Sequence, residues 1–353
     1  MQPVSVAREL LGGGVRAARI RSRDVVEYDP YLSGREVERV GGVAEADDGA
    51  RTAWTAFVKR TRGPGLRAAR RELAAYRIGI ADPDLGHGLR APALLAADEG
   101  PEHVEIWLEE LRDEHAGEWP IERFGVAARH IAAFDAWAAT RPLPDDFDSE
   151  DAWAERHGQP QRVHEALAEL DRHRHADGAA SVMEVVDDDA FGRTESLIAS
   201  TDERIARLAT YPQTPLHHDL VRSNLFALAD GSTAAIDWEN VGHGPLGVDL
   251  APLVVGSVRR GEATGDDLPQ LERLVLDHYV EGLRESGIGG DDDVRAAYRL
   301  ALGLRWHVVI GSIQTALDPS ITRIRGSRPG ESREEGLRHL LAVARHLLDA
   351  AAT

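Results

Sequence analysis

The stretch Pro215-Leu216-His217-His218-Asp219-Leu220-Val221-Arg222-Ser223-Asn224-Leu225-Phe226 is the densest polar cluster in an otherwise apolar setting, and it fits the pattern H-x-D-x-x-x-x-N. A second acidic segment follows, Ala234-Ala235-Ile236-Asp237-Trp238-Glu239, after an Asp230-Gly231 pair that signals a tight hairpin turn. A short strand leaving that turn would end near Asp237, so Asp219, Asn224 and Asp237 are expected to converge at one rim. A carboxylate within hydrogen-bond reach of a hydroxyl can take its proton, and a carboxylate with an amide oxygen can ligate a magnesium ion on nucleotide phosphates. Together these are the needs of phosphoryl transfer.

That chemistry also asks for a lysine on a strand, held by a glutamate on a helix, to fix the nucleotide phosphates. Of the 41 basic Lys and Arg residues, Lys59 is the only lysine. Arginine bias across a whole chain follows from GC-rich coding, whereas one exempted position suggests a need for a compact ammonium that a planar guanidinium cannot replace. The segment Thr52 to Lys59 alternates as a strand, with Trp54, Ala56 and Val58 on one face and Thr55, Phe57 and Lys59 on the other. After the Gly63-Pro64-Gly65 turn, Leu66 to Ile78 reads as a helix by propensity and carries Glu72.

At these residues the sequence resembles the protein-kinase-like superfamily, most closely its aminoglycoside phosphotransferase and choline-kinase-like branch. That branch shows an H-x-D-x-x-x-x-N loop, then I-D-W-E or I-D-F-E, then a glycine-rich turn ending in D-L-A. Here these are His217 to Asn224, Ile236 to Glu239, and Gly242-His243-Gly244-Pro245-Leu246-Gly247-Val248-Asp249-Leu250-Ala251. The resemblance implies an α+β two-lobed fold, with a small antiparallel-sheet N-lobe over residues 1–108 and a larger, mostly helical C-lobe over 109–353. It implies Asp219 as catalytic base, His217 and Asp249 as supports of its loop, Asn224 and Asp237 as magnesium ligands, and Lys59 paired with Glu72 as anchor for the phosphates of ATP or GTP. The adenine-binding hinge falls at Glu109 to Leu111, acting through backbone groups. Two departures stand out. The branch usually has glycine after the motif histidine, where this chain has His218, so the packing of that loop is expected to differ. Gly41-Gly42 forms no convincing glycine-rich fingerprint, and the nucleotide lid is not assigned. Signalling protein kinases share the loop pattern, but Asp237 and Asp249 lie only twelve residues apart, with no A-P-E segment and no activation loop.

Around this centre the first hundred residues read as strands and turns, at Val25 to Tyr28, Arg35 to Ala46 and Thr52 to Lys59, with Val104 to Leu108 resuming the sheet. Helical patterning then dominates at Val126 to Ala139, Val163 to Leu170, Glu195 to Leu208, Leu268 to Leu283, Val294 to Ala316 and Glu334 to Leu348, and Pro142 to Pro160 reads as a long loop. Arg299, Arg305 and His307 interrupt the apolar stretch Ala297 to Leu317, which therefore reads as a core helix and not a membrane span.

The 353 residues exceed what one hydrophobic core usually serves. A net charge of −19 repels nucleic acid and anionic lipid, so neither is an expected partner. No cysteine means no disulfide, no thiolate nucleophile and no thiolate metal site. Met1 to Val15 has no charged region followed by an apolar run, so a cytoplasmic location is expected, without an obligate protein partner. A zinc or iron cluster of His217, His218, Asp219 and His243 is the competing chemistry, yet adjacent histidines on an extended chain point opposite ways. Gly12-Gly13-Gly14 follows a helix-like segment, which disfavours dinucleotide binding. Asp187 to Asp189 and Asp291 to Asp293 read as loop residues and helix caps, with contact to a cationic acceptor as the alternative. The expected acceptor is a small hydroxylated molecule: an aminoglycoside or related antibiotic, since an acidic chain attracts a polycation, with Glu239 as a candidate contact. A sugar, nucleoside antibiotic, choline-like alcohol or amino alcohol is the alternative, and a catalytically silent nucleotide-binding module the reading from another class.

Overall fold

The computed structural model describes residues 2–26, 35–79, 87–115, 118–141, 147, 158–324, 327–328 and 330–351. The chain falls into two compact units, Met1–Glu114 with Phe226–Val241, and His115–Leu225 with Gly242–Thr353. The strand-and-turn segment 226–241, placed by sequence in the second lobe, thus packs with the first.

The first unit is built on a five-stranded antiparallel sheet in the order β1-β2-β3-β6-β5, from β1 (Val15–Val25), β2 (Arg35–Ala46), β3 (Arg51–Arg62), β5 (Leu94–Glu99) and β6 (His103–Glu109). Along β3, Trp54, Ala56 and Val58 are buried as the alternation requires, and they join Val40, Ala44, Leu95 and Trp107 in one core. Helix α1 (Pro3–Leu11) closes that core with Val6 and Ala7. The expected strand Val25 to Tyr28 is displaced: β1 ends at Val25, and residues 27 and 28 lie outside the described residues. Its sequence, VRAARIRSRDV, is arginine- and alanine-rich and favours a strand little by propensity. Pairing with β2, from Val15 opposite Ala46 to Val25 opposite Glu38, overrides that preference, and the arginines lie on a sheet edge where charge discourages further pairing.

Gly41 and Gly42 lie inside β2, paired on both sides, and not in a lid. A side chain at Gly42 would come within 2.3 Å of the Trp54 ring, so this glycine makes room for the core tryptophan. Helix α2 (Leu66–Arg77) follows β3 and buries Ala69, Glu72, Leu73, Ala75 and Tyr76. A smaller sheet joins β4 (Leu89–Arg90), β9 (Thr233–Ala235) and β8 (Leu225–Ala227), and Gly231 at φ +85° turns the β8–β9 hairpin as the Asp230-Gly231 pair foretold.

Among its described residues the second unit is mainly helical, with the antiparallel pair β7 (Gln213–Leu216) and β10 (Gly242–Pro245). Its helices are α3 (Ile121–Ala138), α4 (Pro160–Arg174), α5 (Ala179–Val186), α6 (Ala190–Ala199), α7 (Thr201–Leu208), α8 (Leu250–Arg259), α9 (Leu268–Glu285), α10 (Asp291–Gly303), α11 (Trp306–Leu317) and α12 (Arg333–Ala351). Two long helices expected from sequence are each broken. Glu195 to Leu208 divides at Ser200, where the hydroxyls of Ser200 and Thr201 donate back to the carbonyls of Leu197 and Ile198. Val294 to Ala316 divides after Gly303 with a bend of 41°. Among the described residues no single helix is long and apolar enough to cross a membrane. The Pro142 to Pro160 stretch lies mostly outside the described residues.

Candidate active site

In the first unit, β3 delivers Lys59 to a position where its Nζ donates to Glu72 Oε1 at 2.6 Å and to Asp237 Oδ1 at 2.7 Å. Lys59, Glu72 and Asp237 are all buried. Burial by itself would strip the proton from the lysine, but Glu72 and Asp237 outweigh it and hold its pKa well above the ordinary value, so Lys59 is a permanent ammonium. Burial raises the Glu72 pKa, against the lowering influence of Lys59. Asp237 sits at φ +68°, ψ +52°, a left-handed conformation that costs a residue with a Cβ roughly 1 kcal/mol. This kink ends the strand run and aims the carboxylate at the lysine, while the next residue, Trp238, is fully buried and donates from its indole to Ala235 O at 2.8 Å.

Arg35, which the sequence reading did not single out, is the fourth member of this cluster. Its side chain is 5% exposed and pairs with Glu239. Burial lowers the arginine's pKa, but the Glu239 hydrogen bond and the charges of Glu239, Asp237 and Glu72 raise it on balance. The Arg35 Nη1 is buried with no hydrogen-bond partner. Glu239, expected as an acceptor contact, is thus engaged in this internal pair. No sequence signal marks Arg35 out among so many arginines.

In the second unit, the 217–224 loop is clamped from below. Asp249, 2% exposed, accepts from two successive backbone amides, His217 N at 2.9 Å and His218 N at 2.8 Å. His217 Nδ1 takes the Asp219 amide at 3.2 Å, and Asn224 Nδ2 donates to Asp219 O at 2.9 Å. The amide so oriented presents its carbonyl oxygen as a lone-pair donor. His218 has φ +65°; it and Asp237 are the only non-glycine residues with positive φ among the described residues. A left-handed position explains why a glycine belongs there and what its replacement needs: the His218 ring makes a 3.0 Å hydrogen bond with His243 O and packs where a Cβ on Gly244 would come within 2.7 Å of it. The histidines therefore serve the loop, and among the described residues no three His, Asp or Glu side chains are grouped to hold a metal by themselves.

Beneath Asp249 lies a second network that sequence reading missed. Tyr279 of α9 donates to Asp135 Oδ2 of α3 at 2.6 Å and accepts from Gly247 N at 3.2 Å. Both side chains are fully enclosed. Burial, and the nearby Asp249 charge, raise the Asp135 pKa well above its ordinary value, while the Tyr279 hydrogen bond lowers it. Beside the same loop, a cavity of 560 Å³ is walled by α4, α11, His218 and Asp219.

The hinge expectation fares differently. The Glu109 carboxylate is bidentate with Arg90 at 2.7 and 3.1 Å, and its backbone amide donates to Ala93 O at 3.0 Å. Any backbone donor at this hinge must come from beyond Glu109, toward Leu111. Each unit thus assembles its own set: Lys59, Glu72 and Asp237 in one, His217, Asp219, Asn224 and Asp249 in the other.

No family model matches the sequence. No curated protein matches it either. Solved structures do. An aminoglycoside phosphotransferase from Alicyclobacillus acidocaldarius is 16% identical, covers 94% of this chain and 90% of its own, and gives a TM-score of 0.52. An amicoumacin kinase bound to AMP-PNP and calcium is 14% identical over 92% of this chain and 88% of its own, at 0.51. A thermostable mutant of an aminoglycoside phosphotransferase bound to ADP and hygromycin B is 11% identical over 95% of both chains, at 0.50. At such identities the likeness is one of fold, and the chain accordingly has the α+β protein-kinase-like fold in the form shared with aminoglycoside phosphotransferases.

Proposed function

We propose that the protein is a phosphotransferase that moves the γ-phosphoryl group of ATP or GTP to a hydroxyl of a small molecule. The observation that carries this reading is the open cleft of 560 Å³ against Asp219, a space of small-molecule size with a carboxylate in its wall whose loop Asp249 braces through two backbone amides. Asp219 orients the acceptor hydroxyl and takes its proton as the oxygen bonds to phosphorus and the nucleoside diphosphate leaves. His217 and Asp249 hold the loop that carries it. Lys59, fixed by Glu72, offers a compact charge to the nucleotide phosphates, and the unsatisfied Arg35 Nη1 nearby suits the same anionic ligand.

The residues also fit magnesium, which typically takes one or two carboxylates and completes its shell with phosphate and water oxygens. Asp237 would supply the carboxylate and Asn224 its amide oxygen, and the ion would neutralise charge on the phosphates. The backbone around Leu111 is the proposed adenine contact. Amine-bearing antibiotics head the acceptor list because hygromycin B and an amicoumacin occupy proteins of this fold, with other hydroxylated metabolites next. The test is release of nucleoside diphosphate by purified protein across a panel of aminoglycosides, nucleoside antibiotics, sugars and amino alcohols. Acceptor-dependent release is expected; a rate that no acceptor raises above the acceptor-free background contradicts the reading.

A further inference from the structure

The 217–224 loop has two halves, and they are held from different sides. Asp249 grips the half that leads into Asp219, through the amides of His217 and His218. The half that carries Asn224 is a single 3₁₀ turn, Arg222–Asn224, and both bonds that close it belong to Arg222. Its carbonyl accepts from the Leu225 amide, and its Nη1 donates to the Leu225 carbonyl at 3.0 Å. Ser223 and Asn224 therefore lie within a ring of covalent and hydrogen bonds that one side chain completes.

That side chain is itself fixed. Arg222 is 7% exposed, and its guanidinium lies over the ring of Trp119, 4.3 Å from the centre. Trp119 stands just ahead of α3, is buried, carries the Arg123 guanidinium at 4.8 Å as well, and meets Phe124 edge-on at 5.3 Å. A guanidinium is flat and forked, so it can lie on an aromatic ring and still donate to a carbonyl, whereas an ammonium has no plane to stack. The exposed Ser223 is tied too: Arg260, just past the end of α8, donates to its Oγ at 2.8 Å. Asp249 immediately precedes the same helix, and a Cβ on its Gly256 would come within 2.9 Å of Val221. One helix of about 15 Å thus backs the whole loop.

We infer that Arg222 is a positioning residue for Asn224 as a magnesium ligand, with Trp119 as the surface that fixes it and Arg260 as an outer tie. This rests on the phosphotransferase reading, which supplies the ion that Asn224 would hold. An amide oxygen carries no charge with which to draw a cation in, so it contributes when it is already in place. Separate supports also separate two roles. The Asp249 and Tyr279 side serves proton removal by Asp219, and the Trp119 and Arg222 side serves the metal.

The experiment is calorimetric titration of the full chain with AMP-PNP, with and without magnesium, and the ratio of the two affinities is the metal's contribution. Arg222→Lys and Trp119→Leu should each lower that ratio about tenfold, approaching the loss in Asn224→Ala, and leave the metal-free affinity near that of the wild type. Trp119→Phe keeps a ring face for the guanidinium and should retain most of the ratio. Tyr279→Phe, which loosens the other half of the loop, should not change it. A ratio left at the wild-type value by Arg222→Lys and Trp119→Leu overturns the inference. So does a loss that falls equally on the metal-free affinity, or one that Trp119→Phe shares in full, because either marks general loosening of the fold. Arg260→Ala and Ser223→Ala break the outer tie at the surface and decide the question if the buried variants do not fold: a lowered ratio supports the inference and an unmoved one overturns it. Diphosphate release separates the two claims. Variants that behave as described in a protein that no acceptor stimulates contradict the phosphotransferase reading alone, whereas turnover with a ratio that these variants leave unmoved contradicts the positioning role alone.

Discussion

The Lys59 cluster and the Asp219 loop are held in opposite ways. Around Lys59 the fold relies on full charges buried together: one ammonium, two carboxylates within 2.7 Å of it, and the Arg35–Glu239 pair beside them. Around Asp219 the bracing groups act on the backbone: Asp249 grips two amides, and Tyr279, bonded to Asp135, takes the Gly247 amide. A buried group that is to meet a phosphate has to keep its charge, which requires counter-charges. A base that must meet a hydroxyl needs orientation more than compensation, so its support comes through the main chain.

The comparison breaks most readily at Lys59. Lys59→Met leaves Glu72 and Asp237 buried without their cation, which should cost about 3–5 kcal/mol in urea unfolding and remove turnover. Adding Glu72→Gln should return part of that stability and none of the activity. If Lys59→Met unfolds like the wild type, the buried ionic cluster is not an energetic unit. Lys59→Arg keeps the charge but forks it where a single ammonium meets two carboxylates, so turnover should be lost with a smaller stability change.

Tyr279→Phe probes the Asp219 side. It strips Asp135 Oδ2 and Gly247 N of a shared partner, and an unmet buried polar group costs about 1–3 kcal/mol. If Tyr279 positions the loop, kcat falls while KM for the nucleotide holds, and Asp135→Asn should lose less because its amide oxygen can still accept from the tyrosine. Equal losses of kcat in both variants would mean that the pair only contributes bulk.

The smallest effect concerns Glu262, which also belongs to the second unit. Burial raises its pKa to about 7, although Arg222 and Arg260 pull the other way. In the unfolded chain it titrates near the usual 4.5. Between these values the folded protein holds a proton that the unfolded chain has released, so stability declines as pH rises from about 4.5 to about 7. Glu262→Gln mimics the protonated form and should flatten that decline, with a gain on the order of 1–2 kcal/mol above pH 7. A slope left intact would assign the pH dependence elsewhere.

Much of the candidate site was legible because it depends on identity at fixed spacing. The lone lysine, the glutamate on the following helix and the H-x-D-x-x-x-x-N loop with its later aspartates are all marked by residue type. The fold followed from the same motifs and from the alternation along β3. What escaped were features fixed only by packing. β1 is a strand because β2 is there to pair with it, and the two helices break, one of them at local hydroxyl bonds and the other with a 41° bend, while the apolar period runs on almost undisturbed. Arg35, Asp135 and Tyr279 come from distant parts of the chain and carry no motif. The substitution at His218 could be read as a departure, but only its φ of +65° shows that the position demands what glycine gives freely.

The central claim is that Asp219 takes the proton from an acceptor hydroxyl. Single-turnover transfer from γ-labelled nucleotide to the best acceptor, compared between wild type and Asp219→Asn at saturating nucleotide, addresses it directly. The account predicts a rate reduced by about 10²–10⁴-fold or more, with nucleotide affinity and unfolding midpoint near those of the wild type. A transfer rate within a few-fold of wild type would contradict it.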